Sequence, residues 1–271
     1  MDLRQMDEWG KYLIGIGWTV EKVRLIDGGT VQVFLRKIPL FPFRVMKCQR
    51  FTKQIDDKDW QRIKKENRVI FSSLEPSTLD LADKWLKRGY RWDKVPFLPA
   101  KTRVIDLTKT EDELWKGLDQ NARRILSKDG GVKIKEIASV DFYEGWRKWS
   151  PAMILTKGQF GAINKAFGKR LHYYASTKDG EFASAIMMIY SPTGAHYYQT
   201  WTSKMGRKNN GQFYLVWEMI KIAKKDKKKF FDFEGIYDER YPLKNWGGFT
   251  EFKRKFGGEV VIYPGCLQKW F

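Results

Sequence analysis

Apolar and polar residues alternate along two early runs, Trp18–Ile26 and Thr30–Arg36, with Gly28-Gly29 between them. That arrangement predicts a β-hairpin closed by a diglycine turn. Before it, Trp9-Gly10-Lys11-Tyr12-Leu13 predicts a short helix ending near Gly15 or Gly17. After it, Pro39 and Pro42 mark a loop. Asp56–Glu66 carries acid first and base last, the order a helix dipole favours. Val69-Ile70-Phe71 predicts a short buried strand, and Thr78–Arg88 a helix stopped at Gly89. Pro96 and Pro99 mark a connection, and a domain boundary is expected near residue 103.

The second half opens with a strand over Arg103–Leu107. Thr110-Glu111-Asp112-Glu113 has the spacing of a capping box, in which hydroxyl and carboxylate satisfy free amides at a helix start. The helix is expected to run to about Lys128, before Gly130-Gly131. Strands follow at Val132–Ile137, Leu171–Thr177, Glu181–Ser191, Ala195–Ser203, Phe230–Ile236 and Val260–Tyr263. Helices are expected at Asp141–Trp149, Gly158–Phe167, Gly211–Lys225 and Phe249–Phe256. The fold class is therefore mixed α/β, with antiparallel hairpins in the sheets.

Composition sharpens this picture. The 271 residues are 42% hydrophobic and 15% aromatic, enough apolar material for a sizeable core and too much for global disorder. The formal net charge is +19, and both halves carry an excess of Lys and Arg. Nucleic acid, anionic lipid and phosphorylated ligands are the partners such a charge attracts; a merely solvated surface is the bland alternative. Two cysteines exclude a disulfide framework and an all-cysteine zinc site. The N-terminus lacks a signal-peptide pattern, and no apolar run approaches the roughly 20 residues of a bilayer span. A cytoplasmic protein is expected, touching a membrane only peripherally through charge.

The C-terminal stretch carries the most information. It reads Phe231-Asp232-Phe233-Glu234-Gly235-Ile236, then Phe249-Thr250-Glu251-Phe252-Lys253-Arg254-Lys255-Phe256-Gly257-Gly258, then Val260-Val261-Ile262-Tyr263-Pro264-Gly265. This resembles the FemABX family, transferases that use aminoacyl-tRNA to add amino acids to peptidoglycan precursors. Arg103–Thr108 and Gln5 with Trp9-Gly10 are similar to the family's domain openings. The resemblance implies two tandem GNAT-like domains, the first of residues 1–102 completed by 257–271, the second of 103–256. It also implies aminoacyl-tRNA and a lipid-linked or UDP-linked precursor as partners, with no cofactor. Where CoA-dependent GNAT enzymes carry a glycine-rich pyrophosphate loop, this chain has Arg207-Lys208-Asn209-Asn210-Gly211-Gln212, with one glycine out of register. An acyl-CoA N-acyltransferase, a tRNA-dependent peptide-tailoring enzyme and a catalytically idle RNA-binding module are the alternatives.

The family's Phe-Lys pair falls on Phe252 and Lys253, which the resemblance assigns to steadying the oxyanion of ester aminolysis, the Phe252 main chain beside the Lys253 cation. A phosphate contact from a basic helix, with Lys244, Arg254 and Lys255, is the other reading of Lys253. Asp232 and Glu234 share a strand face by period two; one accepts or orients the amine's proton, or the two are a surface pair. Lys157 stands near a family arginine that grips the acceptor diphosphate, while Leu13 replaces a family lysine. Arg207, Tyr198 and Arg254 complete the candidate substrate contacts; Tyr198, with Trp201, also reads as core. His172 and His196 lack a triad context and read as satisfied strand residues, and no metal site is expected. Lys224–Lys229 reads either as a solvated helix end or as an anion contact.

Overall fold

The computed structural model describes residues 2–150, 154–242 and 246–271. The predicted hairpin forms: β1 (Thr19–Arg24) pairs antiparallel with β2 (Thr30–Lys37). Gly28 and Gly29 both take positive φ in its turn, the region that a side chain disfavours. β3 (Arg44–Phe51) continues the meander, and α2 (Asp57–Glu66) then crosses to β4 (Val69–Pro76), parallel to β3. Asp56 caps α2 by accepting from the Asp59 amide. α3 (Leu79–Leu86) and the short β5 (Arg91–Trp92) follow.

The second lobe repeats the plan. β8 (Leu171–Lys178), β9 (Glu181–Tyr190) and β10 (Gly194–Thr202) form an antiparallel meander. A short α8 (Lys204–Lys208) and the long α9 (Gly211–Lys225) lead to β11 (Phe230–Asp232), parallel to β10. β6 (Lys101–Asp106) flanks β11, and β7 (Lys133–Glu136) flanks β8. The expected single helix after Thr110 is two, α4 (Glu111–Gly117) and α5 (Gln120–Leu126). Its capping box forms on Thr110 and Glu113, but Leu118 is extended and Asp119 caps a second start. α6 (Ser139–Trp149) and α7 (Lys157–Phe167) cover one face of this sheet, and α10 (Gly247–Arg254) follows the loop after β11.

With β12 at Glu259–Ile262 and β13 at Leu267–Trp270, the order among the described residues is β1-β2-β3-β4-β13-β5 in the first sheet and β12-β6-β11-β10-β9-β8-β7 in the second. β12 (Glu259–Ile262) pairs with β6, so the chain stays on the second sheet beyond residue 257, the expected point of return. It crosses back between Ile262 and Leu267, and β13 (Leu267–Trp270), a strand the sequence pattern did not mark, fills the first sheet between β4 and β5.

The apolar core follows this division. One cluster sits under α9 (Leu215, Val216, Met219, Phe231, Phe233), another within the first sheet (Val33, Leu35, Trp60, Leu74, Trp85, Leu267). A third crosses between lobes, joining Leu3, Met6, Trp9, Leu13 and Phe34 to Phe142, Trp146, Phe160 and Phe167. Here α1 (Asp7–Gly15) lies on α7, and a Cβ at Gly15 would stand 3.1 Å from the Ala162 Cβ, a tight contact. The lobes thus share buried surface.

Candidate active site

β10 and β11 run together only from Gly194 to His196 opposite Phe230 to Asp232. Beyond that point the strands part. β10 bulges between Tyr197 and Gln199 and continues to Thr202. β11 ends at Asp232, because Glu234 (φ 55°) and Gly235 (φ 116°) turn the backbone into the left-handed region. The expected strand to Ile236 therefore stops early: two successive left-handed residues break the extended backbone that ladder pairing needs. A cleft of about 620 Å³ opens at the split. Arg4, Tyr198, Glu234, Trp246, Phe249 and Lys253 line it, with the 94–100 connection between lobes.

Lys253, on α10, is 7% exposed. Phe252 and Phe256 pack inward against Phe213, and Lys253 follows them into the interior. Its Nζ donates to the Phe233 carbonyl at 2.8 Å and to the Gly235 carbonyl at 2.6 Å. These are carbonyls of the turn that ends β11. An ammonium has three donors; two are taken here, and Nζ also lies 5.5 Å from the Tyr197 ring and 5.2 Å from the Phe249 ring. Burial lowers the Lys253 pKa to about 8, with Asp232 and Glu234 pulling the other way.

The carboxylates come together without sharing a strand face. Asp232 accepts from Thr102 Oγ1 at 2.6 Å and from the Glu234 amide at 2.8 Å. Thr102 Oγ1 in turn accepts from the Gly235 amide at 3.0 Å. Burial first, then the neighbouring Glu234 charge, pushes the Asp232 carboxyl up. Burial pushes Glu234 the same way, but Arg4 and His196 outweigh it and hold Glu234 well below the usual carboxylate range. Arg4 reaches Glu234 from the N-terminal 3-10 turn with a two-pronged contact of 2.6 and 3.2 Å. His196 Nδ1 lies 2.7 Å from Glu234, and its Nε2 lies 3.2 Å from Ser191 Oγ.

His196, Asp232 and Glu234 place ligand atoms within 4.8 Å of one another, a trio the sequence does not reveal. Their partners are already assigned: the Arg4 guanidinium covers Glu234, Thr102 holds Asp232, and a cation here would sit against a buried positive charge. The donors fit an ion-pair network and not a metal.

The remaining sequence candidates separate. Tyr198 sits at the bulge, edge-on to Trp9 at 6.3 Å, and lines the cleft. Phe252 is the sixth residue of α10, past the first turn whose amides lack helical partners. Arg254 is exposed and pairs with Glu251 at 2.9 Å. Lys157 is exposed at the first position of α7, outside the cleft lining. Lys244 lies outside the described residues. Arg207 is exposed on α8, where the CoA loop of a GNAT enzyme would be; helical turns there already use the Arg207 and Asn209 amides. Leu13 is buried between the lobes. Trp201 is core, its indole donating to the Phe142 carbonyl at 3.0 Å. Lys224 and Lys228 each donate to backbone carbonyls, which ties part of the basic run to the fold. Arg4 and Thr102 are the site residues missed in sequence; neither sits in a local pattern that marks it.

Twin lobes, each with a parallel pair after an antiparallel meander and a cleft at the split, define a tandem GNAT-like protein. The FemAB family model matches residues 154–270. A crystal structure of FemX covers 100% of this chain and 92% of its own at TM-score 0.81 and 14% identity. L-PGS from Bacillus licheniformis covers 92% and 83% at TM-score 0.55 and 12% identity. A tandem GNAT protein from the clavulanic acid biosynthesis pathway covers 90% and 80% at TM-score 0.54 and 10% identity. No curated protein sequence matches. No described helix is long and apolar enough to cross a membrane.

Proposed function

We propose that this chain is an aminoacyltransferase that moves an amino acid from aminoacyl-tRNA to an amine of a peptidoglycan precursor peptide, lipid-linked or UDP-linked. The observation that carries this reading is the FemAB match over 154–270, the stretch that supplies Tyr198, Glu234 and Lys253 to the cleft. The ester to tRNA is already activated, so direct aminolysis suffices. The amine nitrogen bonds to the ester carbonyl carbon, and the carbon–oxygen bond to the ribose breaks. The proton shed by the amine ends on the ribose oxygen.

The chain's part is to hold both substrates in line and to meet the negative charge that forms on the carbonyl oxygen. Lys253 is the group for that charge: a buried cation at the cleft wall, with two of its three donors fixed by backbone carbonyls. Asp232 is a positioning residue in this scheme. It fixes the turn whose carbonyls aim Lys253, and it does not line the cleft. Glu234 is tied up by Arg4 and His196, so neither carboxylate is needed as a base. Tyr198 forms part of the substrate wall. Lys157, Arg207 and Arg254, exposed and away from that wall, are left to meet the RNA or the precursor's phosphates from outside.

Incubating the protein with a mixed charged-tRNA pool and candidate precursors tests the proposal. The expected result is a mass gain of one amino-acid residue on the precursor, abolished by RNase. Transfer from acetyl-CoA instead, or a precursor unchanged with every charged tRNA, would overturn it.

A further inference from the structure

The β2–β3 connection departs from what a hairpin loop on a soluble surface should be. Pro39, Leu40, Phe41, Pro42 and Phe43 are consecutive, apolar and all exposed. Leu40 is 101% exposed and Phe41 56%. A run of exposed apolar residues this long is a fault in a soluble protein unless it serves a function. The loop is not slack. Ile38 N donates to Phe43 O at 3.0 Å, and Phe41 N donates to Ile38 O at 3.2 Å. Leu40 is held at φ 67°, where glycine or asparagine would be easier. The fold thus keeps a bulky apolar side chain at the apex against its backbone preference.

Charge around the loop points the same way. From Arg36 to Lys47 the chain has four Lys/Arg and no Asp/Glu. At the neck of the loop Lys37 stands directly opposite Arg44 in the strand register, and like charges so placed oppose pairing. The left-handed Arg68 adjoins them, its carbonyl accepting from the Arg44 amide. Arg36 and Lys47 lie over the Trp18 ring just below that neck. An apolar apex with a basic collar matches the two layers of an anionic membrane surface, acyl chains below and negative headgroups above.

We propose that the β2–β3 hairpin tip, Pro39–Phe43, inserts into an anionic lipid bilayer while Arg36, Lys37, Arg44 and Arg68 bind its headgroups. The two prolines and the internal hydrogen bonds preform the tip, so little conformational freedom is lost on insertion. A convex apex fits a lipid surface, which closes around it; a protein partner would have to supply a matching groove. The contact is peripheral and independent of any bound substrate, so its test stands apart from that of aminoacyl transfer.

Sedimentation with vesicles of phosphatidylglycerol and phosphatidylcholine, against phosphatidylcholine alone, measures the binding. Binding is expected only to the anionic vesicles. Leu40→Asp/Phe41→Asp should weaken it at least tenfold while leaving the unfolding temperature unchanged, because both side chains are exposed. Leu40→Cys provides a second readout. Cys48 and Cys266 are buried, so an environment-sensitive dye attaches at the tip. Its emission should shift to the blue with anionic vesicles. Vesicle binding that survives the double substitution, or a dye that stays in water while the protein binds, would overturn the proposal. So would loss of a dimer in the double variant without lipid, which would assign the tip to a second copy of the chain.

Discussion

Lys253 is a cation almost without water, and its chemistry depends on how that charge is held. Two backbone carbonyls fix its direction, and burial lowers its pKa to about 8. If the protonated form meets the oxyanion, kcat falls as pH rises through about 8. Lys253→Met should remove that descending limb and lower kcat by about 10²- to 10³-fold, as loss of one oxyanion donor does. A pH–rate series on both proteins checks this, and a limb that persists in the variant would place the titration elsewhere. Arg4 and Glu234 offer a second test, of stability. Removing one partner of a buried ion pair costs about 3–5 kcal/mol when the other charge is left alone; here His196 stays 2.7 Å from Glu234, so the low end applies. Arg4→Met should therefore lower stability in urea by that order, and Arg4→Met/Glu234→Gln should recover part of the loss. The folded Glu234 pKa lies below its unfolded value. The pair's contribution is therefore complete above the ordinary carboxylate range and fades as pH falls through and below it. Urea curves at descending pH should show wild type losing this increment and the double variant not.

Elements form where local chemistry is decisive, and those are the ones legible in the sequence. The diglycine hairpin, the Thr110/Glu113 capping box and α9 (Gly211–Lys225) stand as expected, because turn glycines, caps and long apolar periodicity act over a few residues. β11 is shorter than its apolar pattern because Glu234 is turned left-handed, its amide held by Asp232 and its carboxylate by Arg4. That constraint comes from a residue 230 positions away, which no local pattern can carry. β13 escaped for a similar reason: Leu-Gln-Lys-Trp becomes a strand only because β4 and β5 leave a gap between their edges. In the site, the motif marked Lys253 and Asp232, but the Arg4 and Thr102 contacts that set their environment are tertiary. Deleting residues 267–271 removes Leu267 from the first core and opens both edges. Hydrogen exchange should quicken in β4 while the β8–β9 ladder keeps its protection, a contrast readable by mass spectrometry. Gly206 shows how closely α8 is seated. A Cβ there would come within 1.9 Å of the Ala183 carbonyl, so Gly206→Ala should cost about 1–3 kcal/mol in denaturant unfolding.

At the scale of the whole molecule, the two lobes are bound by the Trp9–Phe167 contact, the shared apolar cluster and the Arg4–Glu234 pair. Separating the lobes would expose that shared core to water. Charge is distributed differently from packing. Internal ion pairing leaves the net +19 unchanged, since each pair cancels one charge of either sign. The remaining positive field covers both lobes, the arrangement a long polyanion such as tRNA needs if it spans the cleft. Binding of that kind draws much of its free energy from counterions released by the RNA, so it weakens steeply with salt. Measured by fluorescence anisotropy, tRNA affinity should fall at least about tenfold between 50 and 200 mM salt, with a linear log–log slope that counts the phosphates neutralised. Lys253, buried and facing the cleft, should contribute little to that slope. Lys253→Met should therefore keep the salt dependence of binding while losing transfer. A flat salt response would mean that the surface charge does not recruit RNA. Loss of tRNA affinity in Lys253→Met would mean that this lysine binds phosphate and has no direct part in the chemistry.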